Sequence, residues 1–473
     1  MNKTILAFFL FCTSAFAITL DWPTVQELAQ KHGAEPLRIR NDYRIGVISS
    51  TLDRRSYWPK LQANSDYPSQ TQSLQEQLFY NPSDSSYLNK WVHNLDKRNS
   101  LGLTLSQELP FGVQFNANGS EWKHRYSVGG DPEVLEYGLS YQTDLRWQIL
   151  SGNPTGITYK NAGLKLQETE QQRIVKEREF ELSLLSDYVG FLNADGQNKL
   201  TQIDAALADS SRALAKRKFE AGLIPQTEYL TIEVSALQRI MGAASSIRGF
   251  EGTRDQFLSR LGLAPGTETT IPSDPQLPEI DTTTTFEIDP SKLPESKIAR
   301  YAFEEATRSA KAERFPLPLQ VEGRLFESWD GVGADRAAAR DNISESKGGA
   351  IQITLDLLDR NEFFLRQERV KLNLREQEIN YRDALRDADR AVRDAIRKLQ
   401  DAKERLVSAE KLLQLSKLRE TMTMSRFNSG TVSSRDLVEA QQDRLTSEQQ
   451  WLTARGDWIV AALRMKRLQE QSR

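Results

Sequence analysis

The strongest constraint on this chain is a strict seven-residue repeat in its last quarter. Leu385, Val392, Leu399, Leu406 and Leu413 recur at that spacing, and Ala388, Ala395, Ala402 and Ala409 fill the second seam position of the same heptads. The pattern predicts one helix from about Asn361 to Asn428, wound left-handed against a partner that the alanines allow close. At a rise of about 1.5 Å per residue, roughly 65 to 70 residues make a rod on the order of 100 Å long. No single globular core has that length, and a solitary helix would leave the stripe in water.

The end of this helix is echoed earlier in the chain. Phe219, Gly222, Glu228 and Leu237 correspond to Phe427, Gly430, Asp436 and Leu445 at one common offset, which implies duplication. Each copy closes a long helical pattern and places Gly where a helix end takes positive φ. Each then restarts a helix behind an N-cap candidate, Thr227 or Ser433. The matching first-half helix is expected from about Thr155 to Phe219. Shorter helices are expected at Trp22 to Tyr57, Gln226 to Leu261, Pro290 to Glu313 and Ser434 to Glu470.

Between the short and long helices the period changes to two. Leu135, Tyr137, Leu139, Tyr141, Leu145 and Trp147 alternate with polar residues, as do Ile351, Ile353, Leu355 and Leu357 after Leu317, Leu319, Val321 and Leu325. Leu101, Leu103, Leu105, Leu109, Phe111, Val113 and Phe115 form the first half's partner strand. Each half therefore offers two strands, joined by polar loops at Ser120 to Glu133 and Asp330 to Glu345. Trp122, Tyr126, Trp147, Trp329 and Phe363-Phe364 sit near strand ends, as an interfacial girdle would require. Pro59 to Asn99 is too long for a simple connection, and its first residues, Pro59 to Ala63, could themselves be a strand; parity then demands that one segment not cross. Four strands cannot close a barrel, and open edges are not tolerated in lipid, so a membrane-crossing reading requires several copies of the chain.

Composition narrows the function classes. Among 473 residues, 62 Lys and Arg oppose 65 Asp and Glu, a formal charge of −3 that argues against a nucleic-acid partner. Mean hydropathy is −0.56, which excludes a bundle of membrane-spanning helices but not a β-barrel, whose strands alternate. Lys3, the apolar run Ile5 to Cys12 and Ala15-Phe16-Ala17 read as a signal peptide over 1–17, so the mature chain is expected to begin at Ile18. Cys12 is the only cysteine, and bulky Phe11 before it argues against lipidation. A mature chain without cysteine has no disulfide or thiolate chemistry. His32, His93 and His124 lack ligand spacing. With no phosphate loop, nucleophile elbow or metal-spaced cluster, neither an enzyme nor a cofactor is expected.

The helix, strand hairpin and helix plan repeated twice, the tips Phe219-Glu220-Ala221-Gly222 and Phe427-Asn428-Ser429-Gly430, and the strand end Leu139 to Arg146 together resemble the TolC-type outer-membrane efflux protein family. Nearly all of the mature chain takes part. The resemblance implies an α+β membrane protein: a long α-helical coiled-coil barrel plus a transmembrane β-barrel formed by a homotrimer, four strands per chain. It implies an outer-membrane exit duct with a periplasmic tunnel, serving tripartite efflux or type I secretion and docked to a periplasmic adaptor and an inner-membrane transporter. Repeats are then expected at 18–262 and 292–473, separated by a linker at 263–291.

By position in the family, Asp436 and Glu439, with Thr227 and Glu228 at the first tip, would line the periplasmic aperture. The turns Gly222, Gly430, Phe219 and Phe427 would meet the adaptor. Acids in a first helical turn are equally explained by the helix dipole. Where the family often has a basic latch residue this chain has Val432, with Arg435 nearby, and Phe427 replaces a hydroxyl-bearing ring. The competing class is a secreted or periplasmic coiled-coil structural protein, which explains the heptads but leaves the amphipathic strands idle.

Overall fold

A computed structural model describes residues 18–83, 85–128, 132–149, 154–272, 288–312, 319–355 and 362–472. In chain order these form β1 (Ile18–Thr19), α1 (Trp22–His32), α2 (Ala34–Arg54), β2 (Lys60–Asn81), β3 (Ser86–Leu109), β4 (Val113–Val128), β5 (Val134–Gln148), α3 (Pro154–Glu220), α4 (Gln226–Arg260), β6 (Thr269–Thr270), α5 (Pro294–Ala312), β7 (Leu319–Gly333), α6 (Arg336–Asp341), β8 (Ile343–Leu355), α7 (Glu362–Asn428) and α8 (Ser434–Ser472). The signal-peptide reading of 1–17 and most of the linker, 273–287, fall outside the described residues. None of the described helices is long and apolar enough to cross a membrane.

The long helices lie where the repeats placed them, each 67 residues. The expected first helix is two, α1 and α2, because Gly33 adopts an extended conformation and Pro36 follows without an amide to continue the ladder. The chain divides into two compact units. One comprises Met1–Ile45, Thr169–Ala299 and Tyr381–Arg473; the other comprises Gly46–Glu168 and Arg300–Asn380.

The second unit holds a six-stranded antiparallel sheet in the order β2-β3-β4-β5-β7-β8. Six strands replace the expected four, and the reason is local. Leu101 to Phe115 is not one strand, because Pro110 supplies no amide and Phe111 and Gly112 both take positive φ (67° and 77°). That three-residue turn makes a tight hairpin, so the expected loop from Ser120 onward is the continuation of β4. β2 begins at Lys60 but continues through a polar stretch, Ser69 to Gln77, that carries almost no apolar alternation. The parity problem disappears: four strands in the first half return the chain to its starting side.

Directly paired residues share a face. One face collects Leu101, Leu103 and Leu105 of β3, Val113, Phe115 and Ala117 of β4, and Leu139, Leu145 and Trp147 of β5. It continues over Leu325 and Trp329 of β7 and Ile351 and Ile353 of β8. The opposite face carries Gln114, Asn116, Asn118, Gln142, Asp144, Arg146, Arg324 and Gln352. There Asp144 is buried between Arg146, whose Nε lies 2.7 Å away, and Arg324. Trp147 and Trp329 belong to the apolar face, as a girdle would. Trp122 and Tyr126 do not: they lie on the polar face, where Trp122 covers Gly138 and a Cβ there would strike its ring. Phe363 and Phe364 open α7.

In the first unit the heptad residues of α7 are buried or half-buried. Ala388, Val392, Ala395, Leu399, Ala402 and Leu413 are buried and Leu385, Leu406 and Ala409 half-buried; the stretch Ala388 to Leu399 packs against Ala462, Met465 and Leu468 of α8. A larger cluster joins Trp22, Val25 and Ala29 of α1, Phe180 to Phe191 of α3, Phe257 and Leu258 of α4, and Ile459 and Leu463 of α8. The Tyr188 hydroxyl donates to the Leu20 carbonyl at 2.9 Å inside it, and burial holds that phenol well above its ordinary pKa. Leu399→Asp should lower stability by about 3 kcal/mol or more, because it buries an unpaired charge, whereas Arg397→Asp on the exposed face should change it by about 0.5 kcal/mol or less. Thermal melts of the two detergent-solubilised variants check this, and equal melting temperatures would refute the heptad assignment.

Candidate functional site: the helix tips

Both helical hairpins end in the same backbone device. At the first, Gly222 (φ 71°) donates to Phe219 O at 2.9 Å and Leu223 to Lys218 O at 2.8 Å. At the second, Gly430 (φ 77°) donates to Phe427 O at 3.1 Å and Thr431 to Arg426 O at 2.9 Å. These paired bonds are Schellman closures, and positive φ is the reason glycine stands at both positions.

The restarts differ. α8 starts with a reciprocal cap: Asp436 N donates to Ser433 Oγ at 3.3 Å and Ser433 N to Asp436 Oδ2 at 3.1 Å. α4 starts behind Pro225 without a side-chain cap, so Thr227 is not the N-cap but an exposed first-turn residue. The Ser433 hydroxyl bond holds the Asp436 carboxyl below its ordinary value. Glu439 is exposed and pairs with Arg419, whose Nη2 lies 3.3 Å away. Glu228 accepts from Ser434 Oγ at 3.4 Å, a contact from α8 to α4.

The duplicated rings occupy different environments. Phe219 is 36% exposed and stacks on Tyr229 at 5.3 Å, while Phe427 is 2% exposed and packs with Ala215, Ile232 and Leu437, one residue from each of the other three helices. Lys218 joins the two tips. Its ammonium donates to Phe427 O at 2.8 Å and stands 4.3 Å from that ring's centroid. A cation on a terminal carbonyl is favoured by the helix dipole.

Further along the helices lies a buried polar cluster that sequence reasoning missed. Arg239 of α4 donates through Nη1 to Asp204 of α3 and to Gln441 Oε1 of α8, both at 3.1 Å, and through Nη2 to Val438 O at 3.2 Å. Arg444 of α8 stands 2.8 Å from Glu420 of α7 and from Glu448 of its own helix. Asp204 is buried and Glu420 nearly so. Burial pushes both carboxyls up; Arg239 and Arg444 partly offset this for each, and Asp204 adds to the rise at Glu420. A signal was present: Glu420 and Phe427 continue the seven-residue spacing of Leu385 to Leu413, and Asp204, Ser211 and Lys218 share that spacing on α3. A charge at a seam position needs a partner across the seam. Here each acid has an arginine.

Three solved structures share this architecture. The outer membrane protein VceC of Vibrio cholerae is 12% identical, with a TM-score of 0.66 over 94% of this chain and 95% of that one. The CmeC outer membrane channel of Campylobacter jejuni is 13% identical, with a TM-score of 0.66 over 95% and 85%. The MtrE outer membrane channel of Neisseria gonorrhoeae, solved in its open state, is 14% identical, with a TM-score of 0.63 over 96% and 92%. The chain has the fold of these outer-membrane channels, as the sequence resemblance implied. No protein-family model and no curated protein sequence matches it.

The buried acids set a pH dependence. A carboxyl with a raised folded pKa contributes stability that is present below its unfolded value and lost as pH rises through the folded value. The contribution of these two acids should therefore fall as pH rises from about 4 towards 7, so the melting temperature of Asp204→Asn with Glu420→Gln, taken relative to wild type, should rise over that range. Arg239→Leu, which strands a buried acid, should cost about 3 to 5 kcal/mol at neutral pH by the same melts.

Proposed function

We propose that this chain is the outer-membrane exit duct of a tripartite efflux or type I secretion system, conducting passively what a transporter and adaptor deliver. The single observation that carries the reading is the sheet: it has one apolar face, and its first and last strands, β2 and β8, each lack a partner on the outer side among the described residues. Lipid tolerates no such edges, so copies must pair them. A homotrimer is the closure we infer. With six strands from each chain it offers eighteen, within the range of bacterial barrels, rather than twelve. The helices then form a periplasmic tunnel. The fold shared with solved outer-membrane channels supports this. A secreted coiled-coil scaffold would explain the helices but gives the apolar sheet face no partner.

In this reading Asp436, Glu439, Thr227 and Glu228 line the periplasmic aperture, and the turns at Gly222 and Gly430 meet the adaptor. Phe219 is exposed enough to be touched there. Phe427 is not, so its part is to hold the tip together. Three copies of Asp436 and Glu439 around one axis would draw cations.

Light scattering of detergent-extracted protein should give a trimer mass, and a monodisperse monomer would overturn the assembly. In planar bilayers the purified protein should be cation-selective and blocked by multivalent cations from the tip side. Asp436→Ala with Glu439→Ala should remove the block and weaken selectivity. Wild-type block in the double variant would reduce both acids to helix caps.

A further inference from the structure

We propose that the membrane-facing side of β3 and β4 carries a binding site for the phosphate of a phosphorylated glycolipid in the outer leaflet. The inference rests on the sheet crossing the outer membrane as proposed above.

Lys97 of β3 and Arg125 of β4 are direct cross-strand partners, and Asn99 pairs with Lys123 in the neighbouring row. All four lie on the face that carries Leu101, Leu103 and Leu105, at the end of the sheet where β2 connects to β3 and β4 to β5, away from the Pro110 turn. Like charges placed directly opposite repel unless an anion lies between them. The protein supplies none: neither Lys97 nor Arg125 has an ion pair among the described residues. The carboxylate next in line on that face, Glu121, is already paired with Arg336. Lys123 is turned onto the Tyr137 ring, 5.2 Å from its centroid, and that tyrosine is its partner across to β5. Lys97, Lys123 and Arg125 are thus three cations on one surface without an ion pair among the described residues.

The position selects the occupant. Immediately towards the helix-joined end lies the apolar stripe Leu101, Leu103 and Leu105, where acyl chains would pack. A ligand with acyl chains there and an anion at Lys97 and Arg125 is a phospholipid or a phosphorylated glycolipid. Arg125 can chelate a phosphate through two parallel bonds, and lysine adds a point charge. The sheet does not stop at this level. β2 and β3 remain paired with each other as far as Asn81 and Ser86, well past the last β4 partner at Asn94. On the same face that extension exposes Trp91, Tyr87 and Tyr80, the last two with ring centroids 5.2 Å apart. Rings beyond the phosphate level are surfaces on which sugars stack, which favours a sugar-bearing head group over a plain phospholipid.

The test uses full-length protein inserted in phosphatidylcholine nanodiscs, with diphosphorylated lipid A as the probe and native mass spectrometry as the readout. Wild type should retain lipid A, and Lys97→Gln with Arg125→Gln should bind it at least about tenfold more weakly. Lys97→Arg with Arg125→Lys should keep most of the binding, which shows that loss in the Gln variant is not misfolding. Equal retention by wild type and the Gln variant would overturn the site. Displacement of lipid A by millimolar inorganic phosphate would also overturn it, since a free anion would then be the occupant. Failure of wild type to enter nanodiscs would refute the membrane reading itself, an outcome separate from insertion without lipid A retention.

Discussion

Every backbone amide and carbonyl in a sheet needs a partner, and the outer edges of β2 and β8 have none among the described residues. That constraint organises the molecule. Water can pair with such edges, but lipid cannot, so an apolar face between two open edges does not sit in a bilayer as a single copy. The proposed assembly rests on that strand order. The long helix α7 carries the complementary property: a narrow apolar seam that buries itself locally against α8 and leaves a broad charged face. One element demands assembly and the other is satisfied within the chain.

The helical part was legible because its signals are redundant. Leu385 to Leu413 repeat at a seven-residue spacing, the alanines repeat with them, and both tips announce themselves through Gly222 and Gly430, each with a phenylalanine three residues before it. Strands are less redundant, and the failure was specific. β4 beyond Gly119 reads Ser, Glu, Trp, Lys, His, Arg, which has no apolar period, and β2 is polar on both faces over much of its length. A strand whose two faces both meet polar surroundings leaves no period-two trace. The Pro110 turn was hidden for another reason. Three residues preserve parity, so Leu109 and Val113 fall on the same face and the alternation runs unbroken through a reversal of the chain.

Of the candidate site, the tip glycines and the exposed acids were readable, but their electrostatic roles were not. Asp436 belongs to a reciprocal cap, which explains an acid three residues after Ser433 without reference to a pore. The contacts that hold the two hairpins to each other come from residues that pass in sequence for solvated charges, Lys218 and Arg239. Only burial distinguishes them from dozens of neighbours. Within the cluster, Arg239 contacts α3 and α8 at once, so separating the two hairpins at that level would break its bonds to Gln441 and to the Val438 carbonyl.

The divergence of Phe219 and Phe427 reaches beyond one subunit. Had the duplicated halves kept the same ring environment, a ring of three chains would present six interchangeable hairpins, and no one boundary between hairpins would be weaker than another. In the proposed trimer, with Phe427 sealed inside the chain and Phe219 at its surface, the ring would lack that sixfold equivalence. Boundaries within a subunit would then differ in kind from boundaries between subunits, and a widening motion would have a built-in choice of where to part.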